Sequence, residues 1–254
     1  MPNSMIRQEA RRILQGNWVK VAVIMFVCSF LSQFFTQKVS LNGKTNTSYG
    51  LNIQLFGIGT DGINGGLSLL SSCLSLYLTL GTCAVVLALV QGREYSIGTL
   101  FQSFSTGIKA IGLGLVMSIF VVLWSLLLIV PGIIKMFSYS MSFYVLAQNP
   151  DMSIMECISE SKHMMEGKKM NYFLLQLSFI GYYILLGIAM LIPSIIIGVT
   201  IGVAGSVAGA DVTVNMIIGI VSSIISLIGG SFVEAYRSVA SGIFYLNASG
   251  QVNE

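Results

Sequence analysis

The feature that most limits what this chain can become is where its charges are missing. Asp61 and Arg93 bracket 31 uncharged residues, Lys109 and Lys135 bracket 25, Lys169 and Asp211 bracket 41, and Asp211 and Glu234 bracket 22. Lys20 and Lys38 enclose 17 more, and Lys135 and Asp151 enclose 15. A charge at the centre of a bilayer costs roughly 2.5–3.5 kcal/mol on insertion scales, and about 20 apolar residues of helix cross the hydrocarbon. Only 9% of the 254 residues are Asp, Glu, Lys or Arg, against roughly a quarter in a soluble domain. With 54% hydrophobic residues, this composition excludes a water-soluble enzyme, a nucleic-acid binder and a disordered chain.

The uncharged runs predict an all-α fold: a polytopic transmembrane helix bundle of about six spans, forming one integral membrane domain over residues 1–254. The spans fall at about 19–36, 67–90, 110–130, 132–148, 171–197 and 213–235. Pro131-Gly132 is expected to end the third helix. The stretch after it, near 16 residues, is short for a crossing, so it either crosses with Lys135 reaching the outer interface or dips in and returns. The positive-inside rule separates these alternatives. With a crossing, Arg7, Arg11, Arg12, Lys20, Arg93, Lys109, Lys162, Lys168, Lys169 and Arg237 share the cytoplasmic side, and Lys38, Lys44 and Lys135 lie outside. Without it, four of the ten move outside and the bias disappears. A crossing, with both termini cytoplasmic, is therefore expected at a cell membrane.

The two longest runs exceed one crossing. The fifth span is expected to end near Pro193, followed by a Gly-rich outer segment from Gly198 to Ala210. In the last run, Gly229-Gly230 is expected to bend the chain, leaving Glu234 and Arg237 paired at the inner interface. Lys38 to Gly66, rich in Gly, Asn and Thr, has no sustained period and predicts an irregular outer loop.

Two segments carry amphipathic spacing. Residues 1–18 place Ile6, Ala10, Ile13, Leu14 and Trp18 on one helical face, away from Arg7, Arg11 and Arg12, as in a helix lying in the interface. Residues 153–167 open with Ser153 and Glu156 as an S-x-x-E capping box and close on Gly167. Ile154, Met155, Ile158 and Met165 line one side of this second helix, with Glu160, Lys162 and Glu166 opposite. Such surfaces sense lipid, dock a partner, or simply connect two spans.

These stretches also carry a likeness to a known family. IRQEARRILQGNW at 6–18, IVPGIIKMFSYSM at 129–141 and PDMSIMECISESKHMMEGKK at 150–169 resemble the bacterial domain-of-unknown-function family 975. FLLQLSFIGYYIL at 173–185 and Phe244-Tyr245 extend the resemblance over nearly the whole chain. It implies a polytopic integral membrane protein and brings no catalytic residues. The layout is also distantly similar to the membrane domain beside some glycerophosphodiester phosphodiesterases, which implies a link to phospholipid metabolism.

Chemistry has little to build on. There is no GxSxG, HExxH or P-loop, and His163 is the single histidine. Cys28, Cys73, Cys83 and Cys157 form no CxxC pair and read as small buried hydrophobes. No catalytic, cofactor or metal site is expected. The polar residues within or beside apolar runs, Lys135, Gln176, Glu234 and Arg237, form the one candidate polar site. GxxxG intervals at Gly198, Gly202, Gly205 and Gly209, and at Gly62 and Gly66, point to close helix packing. The expected partners are membrane lipids and a membrane protein or second copy, with no nucleic acid. The sequence therefore predicts a non-enzymatic accessory, scaffold or lipid-associated module, with a small transporter or permease component as the alternative.

Overall fold

The structure is a computed structural model that describes residues 1–34, 62–101, 104–204 and 211–251. Its elements are α1 (Asn3–Leu14), α2 (Trp18–Phe34), α3 (Gly62–Val90), a 3-10 turn (Ile97–Phe101), α4 (Phe104–Leu127), α5 (Ile129–Tyr139), α6 (Ser142–Gln148), α7 (Ile154–Met164), α8 (Lys169–Ala204) and α9 (Asp211–Ala248). No strand occurs among the described residues, and the architecture is an all-α bundle.

Among the described residues, four helical segments are long and apolar enough to cross a membrane: Leu70–Val90, Thr106–Leu127, Ile129–Gln148 and Lys169–Ile188. α1 and α2 meet at 98° and add a fifth if the bent pair is one span. The bend sits at Gly16, whose φ of +86° is a conformation that a side chain would strain. The sixth expected span, 213–235, forms part of α9. The expected outer loop lies mostly outside the described residues, but its last stretch, from Gly62 to Gly66, is already helical in α3.

α9 is the axis of the bundle. Its segment from Ala235 to Leu246 is buried almost throughout, with α1, α2, α3 and α8 packed around it. α8 runs antiparallel to α9: Tyr172 stacks near Phe244 with ring centroids 4.9 Å apart, and Leu186 meets Gly229 at the other end. α3 packs against α9, with Gly242 against Val86.

Three boundaries differ from expectation, each for a physical reason. Pro131-Gly132 does not end the third helix; α4 stops at Leu127, Leu128 is extended, and α5 has begun at Ile129. Proline is tolerated there because first-turn N–H groups lack intrahelical partners anyway. Gly132 serves close packing, since a Cβ would overlap Ser125. α8 does not end near Pro193 but runs on to Ala204, so Gly198 and Gly202 are helical, while Gly205 and Gly209 lie outside the described residues. Neighbouring helices let membrane helices carry interior prolines. α9 likewise passes through Gly229-Gly230 without a break.

The short stretch after Pro131 runs the full length of its neighbour. Gly132 lies against Ser125, Phe120 against Tyr139, and Lys109 Nζ donates to the Pro150 carbonyl at 2.7 Å. α5 and α6 together thus return along all of α4, as a crossing requires. The chain breaks between them at Ser140-Met141, and α7 repairs the break: Ser161 Oγ donates to the Ser138 carbonyl at 2.9 Å and accepts from the Met141 N–H at 3.2 Å. A non-helical step inside an apolar bundle needs such partners.

Both amphipathic helices turn their apolar faces to protein. Ile6, Ala10 and Leu14 of α1 are fully buried in the core cluster that includes Tyr236 and Val239. On α7, Cys157, Ile158 and Met164 are buried with Met165 just beyond, while Met155, expected on that face, is exposed. The capping box forms as expected, with Ser153 N–H donating to Glu156 Oε2 at 2.8 Å and Glu156 N–H to Ser153 Oγ at 3.3 Å. Gly167, at φ +73°, closes the turn after the helix.

Candidate functional site

Helical spacing builds the polar site. On α8, Tyr172, Gln176, Phe179 and Tyr183 recur at intervals of four, three and four, so they share one stripe. On α9, Glu234, Arg237, Ser238 and Ser241 recur at intervals of three, one and three. Because the helices are antiparallel, Tyr183 meets Glu234 while Gln176 meets Arg237 and Ser241.

Glu234 and Arg237 form a bidentate ion pair: Arg237 Nε donates to Glu234 Oε2 at 2.9 Å, and a terminal guanidinium nitrogen donates to Oε1. Tyr183 OH donates to Oε2 at 2.8 Å and Ser238 Oγ to Oε1 at 3.1 Å. The carboxylate therefore accepts four hydrogen bonds, about the capacity of its two oxygens. Arg237 also donates to Gln176 Oε1 at 3.5 Å, and Gln176 Nε2 donates to Ser241 Oγ at 3.1 Å. Ser241 Oγ in turn donates to the Arg237 carbonyl at 3.0 Å and accepts from Tyr172 OH at 3.5 Å. About a third of each charged side chain is exposed, so the pair sits at the edge of the bundle.

A buried aromatic layer continues the network. Tyr144 of α6 donates to the Ser238 carbonyl at 3.3 Å and stacks on Tyr245 with centroids 5.5 Å apart. Tyr245 OH donates to Gln148 Oε1 at 2.6 Å, and Gln148 Nε2 donates to Gln251 Oε1 at 2.7 Å. On the other side, Tyr236 packs edge-on against Phe179 and Tyr182 and lies 6.2 Å from Trp18.

Of the four residues expected to share a polar site, the structure brings together Gln176, Glu234 and Arg237 but not Lys135. Lys135 lies on α5 and holds its ammonium 4.5 Å from the Trp124 ring centroid of α4. From α5, Phe137 reaches α8, edge-on to Tyr172 and Phe173. The missed members are Tyr172, Tyr183, Ser238 and Ser241. A search for charges passes over hydroxyls, although all four stand at helical intervals from Gln176, Glu234 and Arg237. His163 is exposed in the last turn of α7. No disulfide joins the four cysteines, of which Cys28, Cys83 and Cys157 are buried.

Residues 126–251 match the model of the family described as Protein of unknown function (DUF975). This match supports the family likeness read from the sequence. The match contains α5 to α9 and the whole Glu234–Arg237 network. It is narrower than the resemblance read from the sequence, because the segment at 6–18 precedes it. No curated protein and no solved structure matches the chain.

Proposed function

We propose that this chain is a non-enzymatic accessory module of the cell membrane, a scaffold or lipid-associated component with both termini cytoplasmic. The observation that carries this reading is the saturation of Glu234. A proton or ion pathway uses a carboxylate that can release and rebind its cargo, whereas this one is held by four donors from its own bundle. The ten-to-three division of basic residues supports the orientation. A second reading, a small transporter or permease component, draws on the broken α5–α6 span, since transporters place sites at discontinuous helices. In this chain Ser161 occupies the break.

The test is reconstitution. Liposomes carrying the full-length chain and a pH-sensitive dye, under an imposed potassium gradient, should show no protein-dependent flux. Flux abolished by Glu234→Ala would establish the transport reading instead. For orientation, His163→Cys in a background without the four native cysteines should resist impermeant thiol reagents added outside cells. Labelling from outside would overturn the topology.

A further inference from the structure

We propose that the corner between α1, α2 and α8 is a binding site for the phosphate headgroup of an anionic phospholipid, centred on Arg11. The inference rests on the lipid-associated reading above and names its ligand class. Arg11 Nε donates to Tyr236 OH at 3.1 Å, a terminal nitrogen donates to Tyr182 OH at 3.2 Å, and the guanidinium lies 5.5 Å from the Tyr236 ring centroid. These contacts fix the side chain yet use two of its five N–H groups, and the residue is exposed. Both hydrogen-bond partners are neutral hydroxyls, so the charge has no counter-ion in this pair of contacts.

The surroundings add charge of the same sign. Arg7 stands one helical turn before Arg11, and its carbonyl accepts from the same Tyr236 OH at 3.3 Å. Lys20 is exposed in the first turn of α2. The acidic member of α1, Glu9, is engaged with Arg12 at 3.5 Å. A fixed, outward-facing guanidinium with further cations beside it suits a phosphate, whose oxygens take planar N–H donors.

The rim makes the ligand an amphiphile. Val19 and Val23 of α2 and Leu185 of α8, which flanks Tyr182 by helical spacing, are all at least 46% exposed and give apolar surface for acyl chains on the helices that meet at this corner. Trp18, Tyr182 and Tyr236 stand at the same corner, and aromatic residues of this kind concentrate at the level of lipid headgroups.

The full-length protein in mild detergent is titrated with phosphatidylglycerol, with phosphatidylcholine and with inorganic phosphate, and bound species are counted by native mass spectrometry. Each basic residue near an anionic lipid is worth about fivefold in affinity. Arg7→Gln with Arg11→Gln should therefore erase a preference for phosphatidylglycerol of order tenfold or more, while Arg93→Gln at the far end of α3 leaves it intact. Tyr182→Phe keeps every charge and should weaken the preference about twofold by loosening Arg11. Should the double variant fail to fold, Tyr182→Phe and Lys20→Gln decide, and both must lower the preference. Equal binding of the two lipids, an unchanged preference in the folded double variant, or displacement of the lipid by millimolar phosphate would overturn the proposal. Such a result with silent liposomes removes the headgroup site alone, whereas protein-dependent flux removes the reading on which it rests.

Discussion

Glu234 and Lys135 are both charges at the edge of long apolar runs, yet the bundle treats them in opposite ways. Glu234 lies on the stripe of α9 that faces α8, and four donors converge on it. Lys135 lies on the hairpin of α4 and α5, beside a turn whose residues from Leu126 to Val130 are apolar and exposed, and its neighbour is the face of an indole. The first charge is tied into the packing of two helices. The second rests on a surface. The lesson is that a charge beside an apolar run is structural when a neighbouring helix offers donors in register, and decorative when it offers only an aromatic ring.

Removing the acid should show the largest effect. Glu234→Ala leaves Arg237 half-buried without its partner and frees the Tyr183 and Ser238 hydroxyls. Breaking a fully buried pair costs roughly 3–5 kcal/mol, and partial exposure of this pair reduces that to about 2–3 kcal/mol. Thermal unfolding in detergent measures it. The double variant Glu234→Ala with Arg237→Ala should recover part of the loss, and full additivity would contradict the bidentate pairing of Glu234 with Arg237 described above.

A neutral hydroxyl should come next. Ser161→Ala strips the partner from both the Ser138 carbonyl and the Met141 N–H at the break between α5 and α6. Unpaired buried groups cost about 1–3 kcal/mol, so a loss near 2 kcal/mol is expected, with faster amide exchange at Met141. Exchange at Met141 no faster than in the parent would show that the break does not depend on α7. Lys135→Ala, by contrast, removes one cation–π contact at an accessible position and should cost about 0.5–1 kcal/mol in the same unfolding assay. A loss as large as that of Glu234→Ala would erase the distinction between the two regions.

How far the sequence carried this picture follows from the same physics. Long uncharged runs have one economical solution, apolar helices, so the helical bundle and its long apolar helices were legible between Lys20 and Glu234. The capping box at Ser153 and the turn at Gly167 were legible because their signals are local. Pro131, Pro193 and Gly229-Gly230 misled as helix breakers, because their propensities are calibrated for helices in water. Within a bundle, packing of neighbours keeps the helix intact. The polar site was half legible. Charge scarcity exposed Glu234, Arg237 and Gln176, but the pairing of α8 with α9 is a tertiary fact, and without it Tyr183 and Ser241 are ordinary hydroxyls and Lys135 reads as a fourth member.

The smallest expected effect concerns a charge whose partners are backbone and a cap rather than side chains of another helix. Glu156 accepts from the Ser153 N–H at 2.8 Å, and this bond, with the Ser153 side chain, holds its carboxyl below the usual glutamate range. A carboxylate depressed in the folded state contributes stability that is present above its ordinary pKa and is lost as the pH falls through the lowered folded value. Amide exchange in the first turn of α7 should therefore quicken as the pH is lowered below the ordinary glutamate range, after correction for intrinsic rates. Glu156→Gln removes the ionised form and should flatten that dependence while leaving the stability of the Glu234 network unchanged. An acid response of equal size at Tyr183 and at Ser153 would mean that the two charges are coupled through α7, whereas Glu156 bonds within its own turn and the α8–α9 stripe holds Glu234.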